Sequence, residues 1–464
     1  MLVLLSLLAT PADAARPTDG GQFGYVSGDE VVHWDSPGGI RVHYAVSGPS
    51  VALLDDEDDN GVPDFVELIA THVEGSFAAY DEAGFRRPLH ESDLSLGNLG
   101  GSDAFDVYLV DFGGNSDGAY RNDACRSGVC SGHLLIENDF AGYGYPSLDH
   151  AAATLASHEL FHAVQAAYVE TLPVWVSEGT ATWAERLYDP ESTDFLRFAA
   201  VYLGDTNRSL NKPPAGPVPS FAYATCLWWD FLTLRHDSDV IVELLEGFAA
   251  DPQVDELALI GDILDGRGDS WRDAFSTFAA WNAATFTRAG DGGYPYAAKL
   301  RSVEFEAIDD AFVEEIRVFP MASVYFAVEH DGGPLWGGSA VCDDDLPMLI
   351  VFPAASGALE EPLDRIEGAG RLVAGGEDLP AGRYYAVATV PEPAESSQKD
   401  LICLQAEGAL DPACLCDAGL TDDTDGPGDP DPGGCGCSAA SSNPALGWML
   451  GLPLVLALLR RQRR

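Results

Sequence analysis

The segment Ser157-His158-Glu159-Leu160-Phe161-His162 places two histidines four residues apart, with a glutamate directly after the first. On a helix, residues four apart share one face, so His158 and His162 can direct imidazole nitrogens at a single ion. Glu159 is then close enough to reach a water on that ion without ligating it. Downstream, Trp175-Val176-Ser177-Glu178-Gly179-Thr180-Ala181 offers a further carboxylate, Glu178, from a second helix. Two histidines and one glutamate leave the fourth tetrahedral position of zinc open for water, which a hydrolytic site requires. Solvated histidines on an amphipathic helix are the competing explanation. However, Leu155, Ala156, Leu160, Phe161, Ala163, Val164, Ala166 and Ala167 make this helix apolar nearly all round. A buried helix is therefore expected, and buried histidines need partners, of which a metal is one.

H-E-x-x-H followed by E-G-T-A on the next helix resembles the gluzincin metallopeptidases, the clan of thermolysin and the zinc aminopeptidases. The resemblance covers residues 148–185. It implies that His158, His162 and Glu178 hold zinc and that Glu159 is the general base. It departs from thermolysin at Thr182, where that enzyme has an aspartate orienting a ligand histidine. Glu185 and Asp149 are the two residues able to take over that work, and the sequence does not choose between them. Gluzincins often place a tyrosine or histidine on a later helix to hydrogen-bond the oxyanion, and Tyr223 occupies such a place. A packing tyrosine is the alternative. The resemblance also implies an edge strand above the zinc that pairs with extended substrate. Residues 132–137, just before the zinc helix, are the expected strand, with Gly132 and Leu134 as substrate contacts by strand addition. An ordinary core strand is the other reading. His133 and His150 are expected to be structural.

The elements that must position these groups read as a mixed fold. Strands are expected within 22–51, most clearly at Ile40-Arg41-Val42-His43-Tyr44, and at 105–112 and 132–137. Helices are expected at 65–83, 147–169, 177–187, 195–202, 223–234, 240–249, 254–264 and 271–286. Beyond residue 302 short strands such as 323–328, 347–352 and 383–390 alternate with Gly and Pro turns, which suggests a β-sandwich. In the last of these, Tyr385 and Val387 share one face, and Tyr384, Ala386 and Ala388 the other. The fold class expected is α+β: a zincin-like catalytic domain, with a small sheet and a helical lobe, over 15–300, then a β-sandwich accessory domain over 301–408.

A second metal motif precedes the first long helix. Residues 56–67 fit the calcium-loop pattern D-x-D-x-N-G-x5-E without a mismatch. Asp56, Asp58, Asn60, the Val62 carbonyl, Asp64 and Glu67 fall at the ligand positions, and Gly61 supplies the sharp turn. An acidic loop in an acidic protein is the plainer reading. Pro63 and the strand-like lead-in argue for a single structural calcium loop, not a paired sensor.

The whole chain of 464 residues has a formal charge of −49, and lysine occurs only at Lys212, Lys299 and Lys399. Such a surface repels nucleic acid and anionic lipid and attracts divalent cations. Residues 1–14 read as a signal peptide, with an apolar run and an Ala12-Asp13-Ala14 cleavage site. Residues 409–434 form an acidic Pro/Gly linker. Residues 435–464 join a Gly-Cys pair, a short apolar run and the terminal Arg460-Arg461-Gln462-Arg463-Arg464. This tail is similar to the MYXO-CTERM sorting signal of surface proteins, which implies export, display on the cell surface or release, and membrane contact only before processing. A plain anchor is the alternative. Nine cysteines in an exported chain favour disulfides. Cys125 and Cys130 are placed to close a tight loop, Cys342 and Cys403 to bridge the later strands, and Cys414 and Cys416 to pair with each other or elsewhere. Cys226 reads as a buried free thiol.

Together these readings predict an exported zinc endopeptidase acting on protein or peptide substrates, with zinc and calcium as its metals. An aminopeptidase using the same chemistry, a catalytically silent metal-binding adhesin, and calcium-dependent carbohydrate binding by the β-region are the rival readings.

Overall fold

The computed structural model describes residues 15–405 apart from 21–22, 214–219, 291, 310, 335, 340–347, 354–363, 367–377, 392 and 394–397. The signal peptide, Cys342, Cys414, Cys416, the linker and the C-terminal tail lie outside the described residues. Every described residue falls in one compact unit that ends at Ala418. Among the described residues, no helix is long and apolar enough to cross a membrane.

The fold is mixed α and β. Its first sheet contains β1 (Glu30–Asp35), β2 (Ile40–Ser47), β3 (Phe105–Val110), β4 (Gly118–Arg126) and β5 (Val129–Glu137) in the order β1-β2-β3-β5-β4. β2, β3 and β5 run parallel, while β1 and β4 pair antiparallel at the two edges. α1 (Asp64–Glu82) follows β2. Alternation along the parallel strands sends Val42, Val107, Leu109, Leu134 and Ile136 to one face, where they join Val66, Ile69 and Val73 of α1 in the main core. The opposite face carries Tyr108, Val110 and Leu135, covered by Phe23 and Tyr25. Here Arg16 is buried among Glu91, Asp106 and Asp123, while His43 meets Asp106 at 2.8 Å and His133 meets Asp123 at 3.0 Å.

The β4–β5 turn is two residues long. Ser127 and Gly128 have φ of 55° and 82°, as the hairpin-favoured type I′ turn requires. Cys125 and Cys130 flank it as the expected disulfide.

α2 (Leu148–Ala166) crosses the inner face of the sheet, and α3 (Val174–Tyr188) packs against it. Ser147 starts α2 by accepting the His150 amide at 3.1 Å. Pro173 precedes α3, where its missing N–H costs nothing. The helical lobe continues with α4 (Thr193–Leu203), α5 (Ser220–Ala224), α6 (Cys226–His236), α7 (Asp239–Ala250), α8 (Glu256–Gly266) and α9 (Trp271–Ala283). The apolar run expected to form one helix over 223–234 is two. Thr225 separates them, its hydroxyl meeting the carbonyls of Trp175 and Ala222, each at 2.8 Å. Cys226 is buried and unpaired, as expected.

The remaining strands are β6 (Glu306–Asp309), β7 (Ala311–Val318), β8 (Ala322–His330), β9 (Gly333–Pro334), β10 (Trp336–Ser339), β11 (Met348–Pro353), β12 (Asp364–Ile366), β13 (Asp378–Leu379), β14 (Gly382–Val390) and β15 (Gln398–Gln405). They form a β12-β11-β14-β8-β6 sheet, a β10-β15-β7 sheet and a β13-β9 pair. The two faces of β14 serve two cores. Tyr385 and Val387 join Tyr325 and Ala327 of β8 in the main core, while Tyr384, Ala386 and Ala388 pack with Phe326 and Val328 in a second core. Tyr325 also donates to the Ala279 carbonyl of α9 at 3.1 Å.

Candidate metal centre

His158, Glu159 and His162 lie on α2 where it faces α3 and β4, the first two buried and His162 half-buried. Glu178, one turn into α3, meets both imidazoles. Its Oε2 is 3.5 Å from the Nε2 of His158 and 3.5 Å from the Nε2 of His162. One ligand atom from each of the three lies within 4.8 Å of the others. A tetrahedral zinc with bonds of about 2.1 Å separates its ligand atoms by about 3.4 Å, so this spacing suits such an ion. Burial works to raise the Glu178 carboxyl, but the two imidazoles hold it well below the usual range.

Both Nδ1 atoms face protein partners, which turns both Nε2 atoms toward Glu178. His158 Nδ1 meets Glu185 Oε1 at 2.8 Å. The choice between Glu185 and Asp149 therefore falls to Glu185. Asp149 instead meets His72 Nε2 at 3.1 Å. Burial pushes the Glu185 carboxyl up to about 7 against the pull of His158. His162 Nδ1 meets Gln165 Oε1 at 2.9 Å. Thr182 is buried one turn before Glu185, and its hydroxyl makes no hydrogen bond to His158.

Glu159 points across to the sheet, where Tyr120 N–H donates to its Oε2 at 2.7 Å. Burial pushes this carboxyl up, with His158 and His162 pulling the other way. Gly118 makes the approach possible, since a Cβ there would stand 3.0 Å from Glu159 Oε1 and 2.5 Å from a Leu155 methyl.

Tyr223 stacks on His158 at 5.6 Å between ring centroids, and on Phe198 at 4.8 Å. Burial, with Glu178 and Glu159 adding to it, raises its hydroxyl well above the ordinary value, so it keeps its proton and acts as a donor. The glycine of E-G-T-A explains its placement. A Cβ on Gly179 would sit 2.1 Å from Thr225 Oγ1 and 2.6 Å from Trp229 Nε1. A bare α-carbon lets α5 and α6 press onto α3, and α5 carries Tyr223 to the site.

The cleft has two chambers that share Ser116, Gly118, His158, Glu159 and Tyr223. One, of about 410 Å³, extends along α2 to Gln165, Ala166 and Val169. The other, of about 280 Å³, extends the opposite way past Leu155 and Thr154 to Asp117, Asp194 and Arg197.

The expected substrate strand is corrected. β5, which carries Gly132 and Leu134, is paired with β3 on one side and β4 on the other. Its backbone has no free edge, and Leu134 is fully buried in the core. The edge strand is β4, and Gly118 to Asn122 of β4 line the cleft. Neither His133 nor His150 lines the cleft; the first is held by Asp123 and the second by Thr193 Oγ1 at 2.7 Å.

The 56–67 loop is folded around its acidic side chains. Carboxylate oxygens of Asp56, Asp58 and Asp64 lie within 4.8 Å of one another. Asp56 accepts the Gly61 amide at 2.9 Å, and Gly61 adopts φ of 87°. Asn60 donates to Glu67 Oε1 at 3.0 Å and accepts the Val62 amide at 2.8 Å. Asp64 opens α1.

No known protein family matches the chain, and no curated protein matches it.

Proposed function

We propose that this chain is an exported zinc endopeptidase with a zincin-like catalytic region and a β-sandwich accessory region. The observation that carries the reading is the convergence of His158 Nε2, His162 Nε2 and Glu178 Oε2 at near-tetrahedral spacing, with Glu159 buried beside them. Zinc held by these three residues would supply Lewis-acid charge that activates water and polarises a carbonyl. The other roles belong to the chain itself. Glu159, steadied by the Tyr120 amide, takes a proton from the attacking water and passes it to the leaving amine nitrogen. Tyr223 donates its hydroxyl proton to the oxyanion as charge develops there. The outer edge of β4, apart from the Tyr120 N–H that Glu159 occupies, pairs with an extended peptide, and the two chambers receive side chains on either side of the scissile bond. Room on both sides favours an endopeptidase over an aminopeptidase.

Metal content and casein hydrolysis, measured beside Glu159→Gln, test the reading. One zinc per chain, with hydrolysis lost in the variant and on chelation, is expected. Hydrolysis retained by Glu159→Gln would remove the assigned base. Zinc without hydrolysis of any protein or peptide would favour a binding protein.

Calcium is proposed for the 56–67 loop, on Asp56, Asp58, Asn60, the Val62 carbonyl, Asp64 and Glu67, as a brace for the start of α1. Added calcium is expected to raise the melting temperature of the wild type and not that of Asp58→Ala. An equal response in both would remove the assignment.

A further inference from the structure

We propose that Gln165 is a positioning residue that sets the tautomer of His162 and clamps α2 to α3 across the metal centre. The inference rests on the metal reading above and extends it to a residue outside the H-E-x-x-H and E-G-T-A motifs. The argument comes from hydrogen-bond bookkeeping around one buried carboxamide.

Gln165 is 4% exposed and lies one turn beyond His162 on α2. Its Nε2 is 2.8 Å from the Ser177 carbonyl and 2.9 Å from Thr180 Oγ1. A carbonyl only accepts. The Thr180 hydroxyl spends its own proton on the Val176 carbonyl at 2.7 Å, so toward Gln165 it also accepts. Two acceptors on one side fix that side as the NH2 group. Turning the amide over would set its oxygen against both of them. The carboxamide oxygen must therefore face the other way, where it accepts from Ser177 Oγ at 3.0 Å and meets His162 Nδ1 at 2.9 Å.

An acceptor opposite Nδ1 requires that Nδ1 carry the proton. The lone pair of the neutral ring is then on Nε2, the atom turned toward Glu178. All four hydrogen-bonding positions of the carboxamide are filled, so it has no rotational freedom left. The same amide anchors the Ser177 carbonyl, one residue before Glu178. Gln165 thus fixes the direction of one metal-facing atom and the helix that carries another.

Gln165→Leu removes every one of these bonds. Gln165→Met keeps the unbranched shape but offers His162, Ser177 and Thr180 no amide group. Zinc affinity is read by chelator competition on the full protein, and the His162 tautomer by imidazole ¹⁵N shifts in the metal-free state at a pH alkaline enough to leave the ring neutral. Wild-type His162 is expected as the Nδ1–H form, and both variants are expected to lose that preference and to weaken zinc binding about 10- to 100-fold. A merely structural role would lower the melting temperature while leaving tautomer and affinity unchanged, and that result would overturn the proposal. Where Gln165→Leu does not fold, Gln165→Met decides. A wild type that binds no zinc would defeat the metal reading, and the ¹⁵N shifts would still decide the role of Gln165.

Discussion

Gly118→Ala is the most direct test of how the edge strand serves the base. The new methyl would lie 3.0 Å from Glu159 Cγ, 3.0 Å from its Oε1 and 2.5 Å from a Leu155 methyl. Carbon atoms pack at about 3.5–4.0 Å, so Glu159 must recede by roughly half an ångström or β4 must lift away. Leu155 ends in a flexible isobutyl group and yields easily. Glu159 is held by the Tyr120 amide at 2.7 Å, so either outcome strains that bond and moves the carboxylate relative to the attacking water. A displacement approaching 1 Å costs about 100-fold in rate, so kcat should fall roughly 10- to 100-fold. Overpacking should cost about 1–3 kcal/mol of stability. The three atoms nearest the new methyl belong to Leu155 and Glu159 and to none of the metal-facing residues, so zinc content should remain one per chain. Gly266→Ala is the control, since a Cβ there meets nothing within 4 Å. The assay is casein turnover with metal analysis and a thermal melt on each variant. Full activity in Gly118→Ala with zinc retained would refute the argument that β4 and Glu159 are held in register by contact.

Tyr223→Phe keeps both ring stackings but removes the hydroxyl, so kcat should fall about 100- to 1,000-fold with KM little changed, as steady-state kinetics would show. Replacing Cys125 and Cys130 by serine opens a small loop, and chain entropy assigns the bond about 2 kcal/mol, read as a lower urea midpoint. Burial works to raise the carboxyls of Asp106 and Asp123, but Arg16 with His43 and His133 holds both below their ordinary values. Their contribution to stability is therefore present above about pH 4 and lost as pH falls through the lower folded values. Asp123→Asn should flatten the melting-temperature curve in that acid window, measured by scanning calorimetry.

The parts of the site that depend on local spacing were legible in the sequence. Four-residue spacing put His158 and His162 on one face, and the E-G-T-A segment put Glu178 on the next helix. The parts that depend on which chain segments meet were not. β4 reads G-A-Y-R-N-D-A-C-R, with an Asn-Asp pair that resembles a turn; the pair sits at a bulge between Asn122 and Ala124. Its polar residues look solvated, yet Asp123 is buried against Arg16, more than a hundred positions earlier. Strand order is likewise invisible to periodicity, and nothing in 132–137 itself signals that β4 covers it. Gln165 looked like one polar residue in an apolar helix, and only its four partners reveal its place. The break at Thr225 was hidden because the residues on both sides of it are equally apolar.

The shared core across residue 300 makes the later strands something other than an interchangeable cassette. Met321, Tyr325, Tyr385 and Val387 close the main core against the helical lobe, and Ser323 N–H reaches back to the Thr206 carbonyl at 2.9 Å. A fragment ending near residue 300 would bare that wall and remove the Tyr325 hydroxyl from the Ala279 carbonyl and the Ser323 amide from the Thr206 carbonyl. Shuffling this region for another module would require the incoming sheet to reproduce the same aromatic face, so the two halves are bound to change together.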